Sequence, residues 1–88
     1  VVQNEFKSIA VYPNPVENSL NIQLTSDEDL KVDLSIYDMQ GREVKKHEFK
    51  DNSYILDTSL DLASFASGIY FLKISQGAKY YTQKINVK

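Results

Sequence analysis

At 88 residues and 42% apolar content, the chain holds one domain with one core and is too apolar for disorder. A net charge of −2, three glycines and no cysteine argue against a nucleic-acid surface and exclude a glycine-rich phosphate cradle, disulfides, thiolate metal sites and thiol nucleophiles. No apolar run approaches the roughly 18 residues that read as a membrane-spanning helix.

Residues 1–7 show neither a basic leader nor an apolar segment, and no initiator Met. They read as a linker, the chain as a piece of a longer precursor, and residues 8–88 as the folded unit. Ser8–Tyr12 is the first extended run. Pro13-Asn14-Pro15 then breaks the chain and forbids a helix. Ser19–Leu24 alternates, with Leu20, Ile22 and Leu24 on one face and Asn21 and Gln23 on the other. Thr25–Asp29 is a polar connection. Lys31–Tyr37 alternates again, with Val32, Leu34 and Ile36 inward.

Asp38–Gly41 reads as a type I turn completed by a left-handed glycine and a bulge. Arg42–Phe49 returns with a thin inward side, Val44 and Phe49, as expected of an edge. Tyr54–Asp57 and Leu60–Leu62 read as two short pieces. Leu62 and Phe65 are spaced as in a single helical turn. Gly68–Ser75 is apolar on both faces at its start and is expected to be central and buried on both sides there. Gln76-Gly77 closes a tight hairpin. Ala78–Val87 returns, with Tyr81, Ile85 and Val87 sharing one parity.

Short alternating strands at this spacing make an all-β sandwich. Phe65-x-x-Gly68-x-Tyr70 has the form of a tyrosine corner, in which the phenol bonds back to upstream backbone. Leu72 stands where antibody domains carry a cysteine, so packing must replace the disulfide. Tyr70 reads as structural.

Nothing here forms a catalytic constellation, and we expect no enzyme and no cofactor. His47 is the single histidine and sits between Lys46 and Glu48 on a solvated strand. Asp27-Glu28-Asp29 lacks the ligand spacing and glycine of a calcium loop. Asp57 and Asp61 resemble a glycosidase pair only in residue type, and so small a domain leaves little room for a cleft. The charge is asymmetric: residues 1–61 balance at −6, whereas residues 62–88 carry Lys73, Lys79, Lys84 and Lys88 and no acid. A basic end of this kind marks either an interaction tail or a solvated, edge-protecting face.

Four segments, in order, carry a family likeness. These are Tyr12-Pro13-Asn14-Pro15 with Asn18–Ile22, Ile36-Tyr37-Asp38-x-x-Gly41-Arg42-x-Val44, Leu62-x-x-Phe65-x-x-Gly68-Ile69-Tyr70-Phe71, and Lys84-Ile85-x-Val87-Lys88. Together they resemble the type A C-terminal sorting domain of the type IX secretion system. The resemblance covers residues 8–88 and implies an immunoglobulin-like antiparallel β-sandwich of about seven strands. It implies that residues 1–7 link to an upstream cargo domain, and that the cargo passes through the periplasm to the cell surface or beyond. The implied partners are the outer-membrane translocon and the sortase components, a sortase-like protease removing the domain as the cargo is anchored. On this likeness Lys84, Ile85, Val87 and Lys88 carry translocon recognition, with Gly68 and Tyr70 as the late motif. Pro13, Asn14, Pro15, Asp38, Gly41, Phe65 and Gly77 are folding requirements.

The final strand is expected at a sheet edge or in an exposed tail, read by strand addition and lysine contacts. Residues 86–88 should then be dispensable for folding. An open edge also invites strand-swapped or edge-paired dimers. The rival reading is an immunoglobulin- or fibronectin-like accessory module of a secreted hydrolase, binding carbohydrate or serving adhesion. Its candidate aromatics are Tyr37, Tyr54, Tyr80 and Tyr81, with no Trp among them.

Overall fold

Seven β-strands make up two antiparallel sheets in a computed structural model that describes residues 8–26, 31–50, 55–77 and 79–88. The strands are β1 Ser8–Tyr12, β2 Ser19–Thr25, β3 Lys31–Tyr37, β4 Glu43–Lys50, β5 Ile55–Asp61, β6 Gly68–Gln76 and β7 Lys79–Val87. One sheet has the order β1-β2-β5 and the other β4-β3-β6-β7. No helix occurs among the described residues. Residues 1–7, Asp27-Glu28-Asp29, Tyr54 and Ala78, each given a reading above, lie outside the described residues.

Alternation drives the architecture. Leu20, Ile22 and Leu24 of β2 and Leu56 and Leu60 of β5 point into one cluster with Val32, Leu34 and Ile36 of β3, Leu72 and Ile74 of β6, and Ile85 and Val87 of β7. Side chains from both sheets therefore share a single core, which makes the fold a β-sandwich. Each such aliphatic removed from water contributes about 1.5–3 kcal/mol before ordering costs. The fully buried positions are aliphatic, while Phe49, Phe65, Tyr70 and Tyr81 pack half-buried around the margin. Ser26 donates a hydrogen bond to Gln76 Oε1 at 3.1 Å, joining the ends of β2 and β6.

Three expectations change. Tyr54–Asp57 and Leu60–Leu62 are not separate pieces: Ile55–Asp61 is one strand, paired with β2 from Ser19↔Asp61 to Thr25↔Ile55. Thr58 and Ser59, the gap between those pieces, are held extended by pairing with Ile22 and Asn21. Leu62 lies beyond the strand, and its carbonyl accepts the Phe65 N–H at 3.0 Å in a single turn. Val44 is not inward: the register shifts at Ile36/Tyr37, and Val44 is 43% exposed at this bulge. β6 is central, between β3 and β7, but not buried on both sides; Ile69 is half-buried and Phe71 37% exposed on its outer face. Finally, Val16, given no part in the sequence reading, is fully buried and forms a parallel bridge with Val87.

Candidate functional site

Most of the residues singled out in sequence converge on one end of the sandwich, while Gly77, at φ +59°, follows β6 at the other end. Gly68 pairs with Val87, Tyr70 with Ile85, and Phe71 with Lys84 along β6 and β7. Gly68 and Tyr70 line a cleft with Asp38, Met39 and Arg42 of the β3–β4 turn. Val16 then attaches the Pro13–Val16 connection to the same end through Val87.

The final strand is an edge strand, since β7 ends the sheet. Its C-terminal half is nevertheless not an open edge. Asn14 Oδ1 accepts the Asn86 N–H at 3.0 Å, and Asn14 Nδ2 donates to the Lys84 carbonyl at 3.4 Å. The Val16 N–H donates to the Asn86 carbonyl at 2.7 Å, and the Lys88 N–H to the Val16 carbonyl at 2.8 Å. One carboxamide and one residue of backbone thus play the part of a neighbouring strand. Pro15 sits between them and has no N–H to leave unmet. Lys88 Nζ also lies 3.7 Å from Glu17, but both side chains are well exposed, so the pair adds little.

Side-chain directions divide the recognition candidates. Ile85 and Val87 are buried in the core, whereas Lys84 and Lys88 are exposed. Lys84 and Lys73 have no ion-pair partner among the described residues. Residues 86–88 are not dispensable for packing, because Val87 fills core volume and Asn86 and Lys88 hold Val16. Sequence reasoning missed Asn14 as the clamp and Val16 as its anchor. The only local sign was that Asn, with donor and acceptor on one amide, stands between two prolines.

Tyr70 does form the corner. Its hydroxyl donates to the Ala66 carbonyl at 2.8 Å, and its ring meets Phe65 at a centroid distance of 5.1 Å. Gly68 enters β6 at φ +151°, a region side-chain-bearing residues rarely adopt. The β3–β4 turn is built as expected, with Gly41 at φ +84°, the Gly41 N–H donating to the Asp38 carbonyl and the Asp38 N–H to the Arg42 carbonyl. Asp38 Oδ1 accepts the N–H groups of Gln40 and Arg42, both at 2.9 Å, and Oδ2 meets Arg42 Nε at 2.8 Å. These contacts hold the Asp38 carboxyl below its ordinary range. The Arg42 N–H is the main cause; partial burial opposes it, and the Arg42 guanidinium and Gln40 N–H reinforce it.

His47 is exposed, its ring 4.3 Å from Phe49. Asp57 and Asp61 are exposed on β5, and the Asp61 carboxylate caps the following turn by accepting the Ala63 N–H. No group of three metal-ligating side chains occurs among the described residues.

Clamped corners and an edge strand covered by its own chain define a small self-contained sandwich, a class that supports many roles. A family model described as the secretion system C-terminal sorting domain matches residues 10–88, and the chain belongs to that family, the type IX sorting domains. Among solved structures it is similar to PorZ, described as an essential bacterial surface component of the type-IX secretion system of the human oral-microbiomic Porphyromonas gingivalis. The TM-score is 0.59 at 17% identity, covering 92% of this chain, which spans only 11% of PorZ. That likeness is one of fold. No curated protein matches the chain.

Proposed function

We propose that the domain is read as a folded unit by the outer-membrane translocon of the type IX system, and that it is a substrate of that machinery with no catalysis of its own. Family membership supplies the sorting role. The observation that carries the finer reading is the arrangement of the last strand, where Ile85 and Val87 anchor in the core while Lys84 and Lys88 face solvent. A receptor would meet the lysines, with Gly68 and Tyr70 holding the strand in place from the neighbouring β6. Cleavage upstream of the sandwich by a sortase-like protease, followed by surface anchoring of the cargo, belongs to the same reading. The two-sheet strand order supports calling the sandwich immunoglobulin-like.

The experiment fuses residues 1–88 to a fluorescent protein carrying a periplasmic signal, in strains with and without the translocon. Export only where the translocon is present is expected; equal retention in both strains sinks the reading. Lys84→Glu with Lys88→Glu should abolish export while leaving the unfolding midpoint near that of the parent. Truncation before Asn86 is the poorer test, because it removes core and clamp together.

A further inference from the structure

The two outer faces of the sandwich differ in kind. On the three-stranded sheet the outer positions of β2 and β5 are polar from Ser19↔Asp61 to Gln23↔Asp57, and the exposed apolar residues of that face, Ile55 at the start of β5 and Tyr12 at the end of β1, stand apart from each other. On the four-stranded sheet Tyr37 of β3 pairs with Phe71 of β6, and Phe71 with Lys84 of β7. Val44 stands exposed at the bulge beside Tyr37, and Ile69 continues the apolar positions towards the cleft that holds Met39. Met39 itself is 63% exposed. Nothing in the fold requires apolar residues here, since the core lies on the other face of β6. A partly exposed apolar patch of this sort, with Phe71, Val44 and Met39 exposed and Tyr37 and Ile69 half-buried, fits a surface that another molecule covers.

The rim states the chemistry of that molecule. Lys73 is next to Phe71 but one on the same face, and Lys84 is directly across from it; neither has a carboxylate partner among the described residues. One acid also borders the patch, since Glu43 pairs with Tyr37 on the far edge strand, whereas Asp33 and Glu48 are paired further along; the unpartnered positive charge is confined to the β6–β7 side around Phe71. We propose that the outer face around Tyr37, Phe71 and Ile69 is a docking surface for a protein that presents an apolar patch bordered by carboxylates. Sugars fit less well. Val44, Ile69 and Met39 are aliphatic and offer neither flat faces nor hydrogen bonds, and only two aromatic rings share the patch. This proposal rests on the reading of the domain as the unit recognised in export. It adds a flat face to the lysines of the last strand, and Lys84 belongs to both.

The test uses the whole cargo-bearing chain in an export-competent cell. A photo-crosslinking benzoylphenylalanine replaces Phe71 or, separately, Gln23 on the other sheet. Position 71 is expected to crosslink to a translocon protein through a peptide containing Asp or Glu, and position 23 is not. Phe71→Ser with Lys73→Glu should lower export about tenfold, the loss typical of an interface anchor, with the unfolding midpoint unchanged. Lys73→Glu alone, at an exposed position, should show a smaller loss with no folding effect. Wild-type export by the double variant overturns the surface. Crosslinking to a second copy of the chain, or binding of the purified chain to an anionic polysaccharide that is lost in Phe71→Ser, overturns the choice of partner. A wild-type chain that is not exported sinks the sorting reading instead. The surface then stands if position 71 still crosslinks to one protein through an acidic peptide, and falls with it if no such crosslink forms.

Discussion

Asn14 and Asn86, 72 positions apart, meet where the side chain of the first accepts the backbone N–H of the second at 3.0 Å. The contact lets a two-proline connection occupy the outer edge of the last strand. It leaves the final residues held from both sides, by β6 and by the Asn14–Val16 segment. Protection of an edge by the chain's own side chain removes the pairing groups on which a second copy could add. Beyond it, no hydrogen-bond partner for the Tyr80 and Thr82 backbone at this edge occurs among the described residues. Of the β7 edge, only that half is left for pairing with a second copy.

Asn14→Ala should lower stability by about 1 kcal/mol, the usual net value of a partly exposed hydrogen bond. Urea denaturation would measure the drop, and faster hydrogen exchange at the Asn86 amide would locate it. Asn14→Asp keeps the acceptor for Asn86 and loses the donor to Lys84, so its loss should be smaller. Equal losses in the two variants would place the weight on the long 3.4 Å bond instead.

Tyr70→Phe tests the corner. The ring keeps its contact with Phe65, and only the bond from the hydroxyl to the Ala66 carbonyl is lost. The expected cost is about 1 kcal/mol. Tyr70→Leu also removes the ring pair, worth a further 0.5–1.5 kcal/mol or so, and should unfold at clearly lower denaturant. A Tyr70→Phe protein as stable as its parent would mean that the hydroxyl is served equally well by water.

What was legible in the sequence was whatever rests on near neighbours. Alternation exposed β2 and β3, since Leu20, Ile22, Leu24 and Val32, Leu34, Ile36 keep a strict period of two. The spacing of Phe65, Gly68 and Tyr70 announced the corner, and Asp38 with Gly41 the turn. Contacts made across 70 or more positions left almost no local trace, only an Asn between two prolines for the Asn14 clamp and nothing for the Val16–Val87 bridge. Alternation also cannot tell an apolar outer face covered by the chain from one left open, so Phe71 looked buried. Of the candidate site, the exposed lysines were legible as charge; the burial of Ile85 and Val87 had to come from the packing.

Gly41→Ala should cost about 1–2 kcal/mol, the penalty of a side chain in the left-handed region. No atom lies within 4 Å of where a Cβ would stand, so the cost is one of backbone conformation and not of collision. Gly41→Asn should recover much of it, because Asn tolerates this region better. Unfolding free energies of the three proteins would decide; an Ala variant equal to Asn would point to relaxation of the turn.

Asp38 makes stability depend on pH with a defined sign. Its folded-state pKa is depressed, so the unfolded chain binds the proton more readily. The stabilisation is fully present above the unfolded carboxyl value of about 3.9, and it is lost as pH falls through the lower folded-state value. Asp38→Asn keeps an oxygen for the N–H groups of Gln40 and Arg42 but has no charge for the guanidinium. Unfolding free energy measured from pH 2 to 7 should therefore fall less steeply below pH 4 in the variant than in the parent. The two curves should draw together at the acid end, where the parent's carboxyl is also neutral. Parallel curves throughout would show that Asp38 contributes nothing to the acid limb.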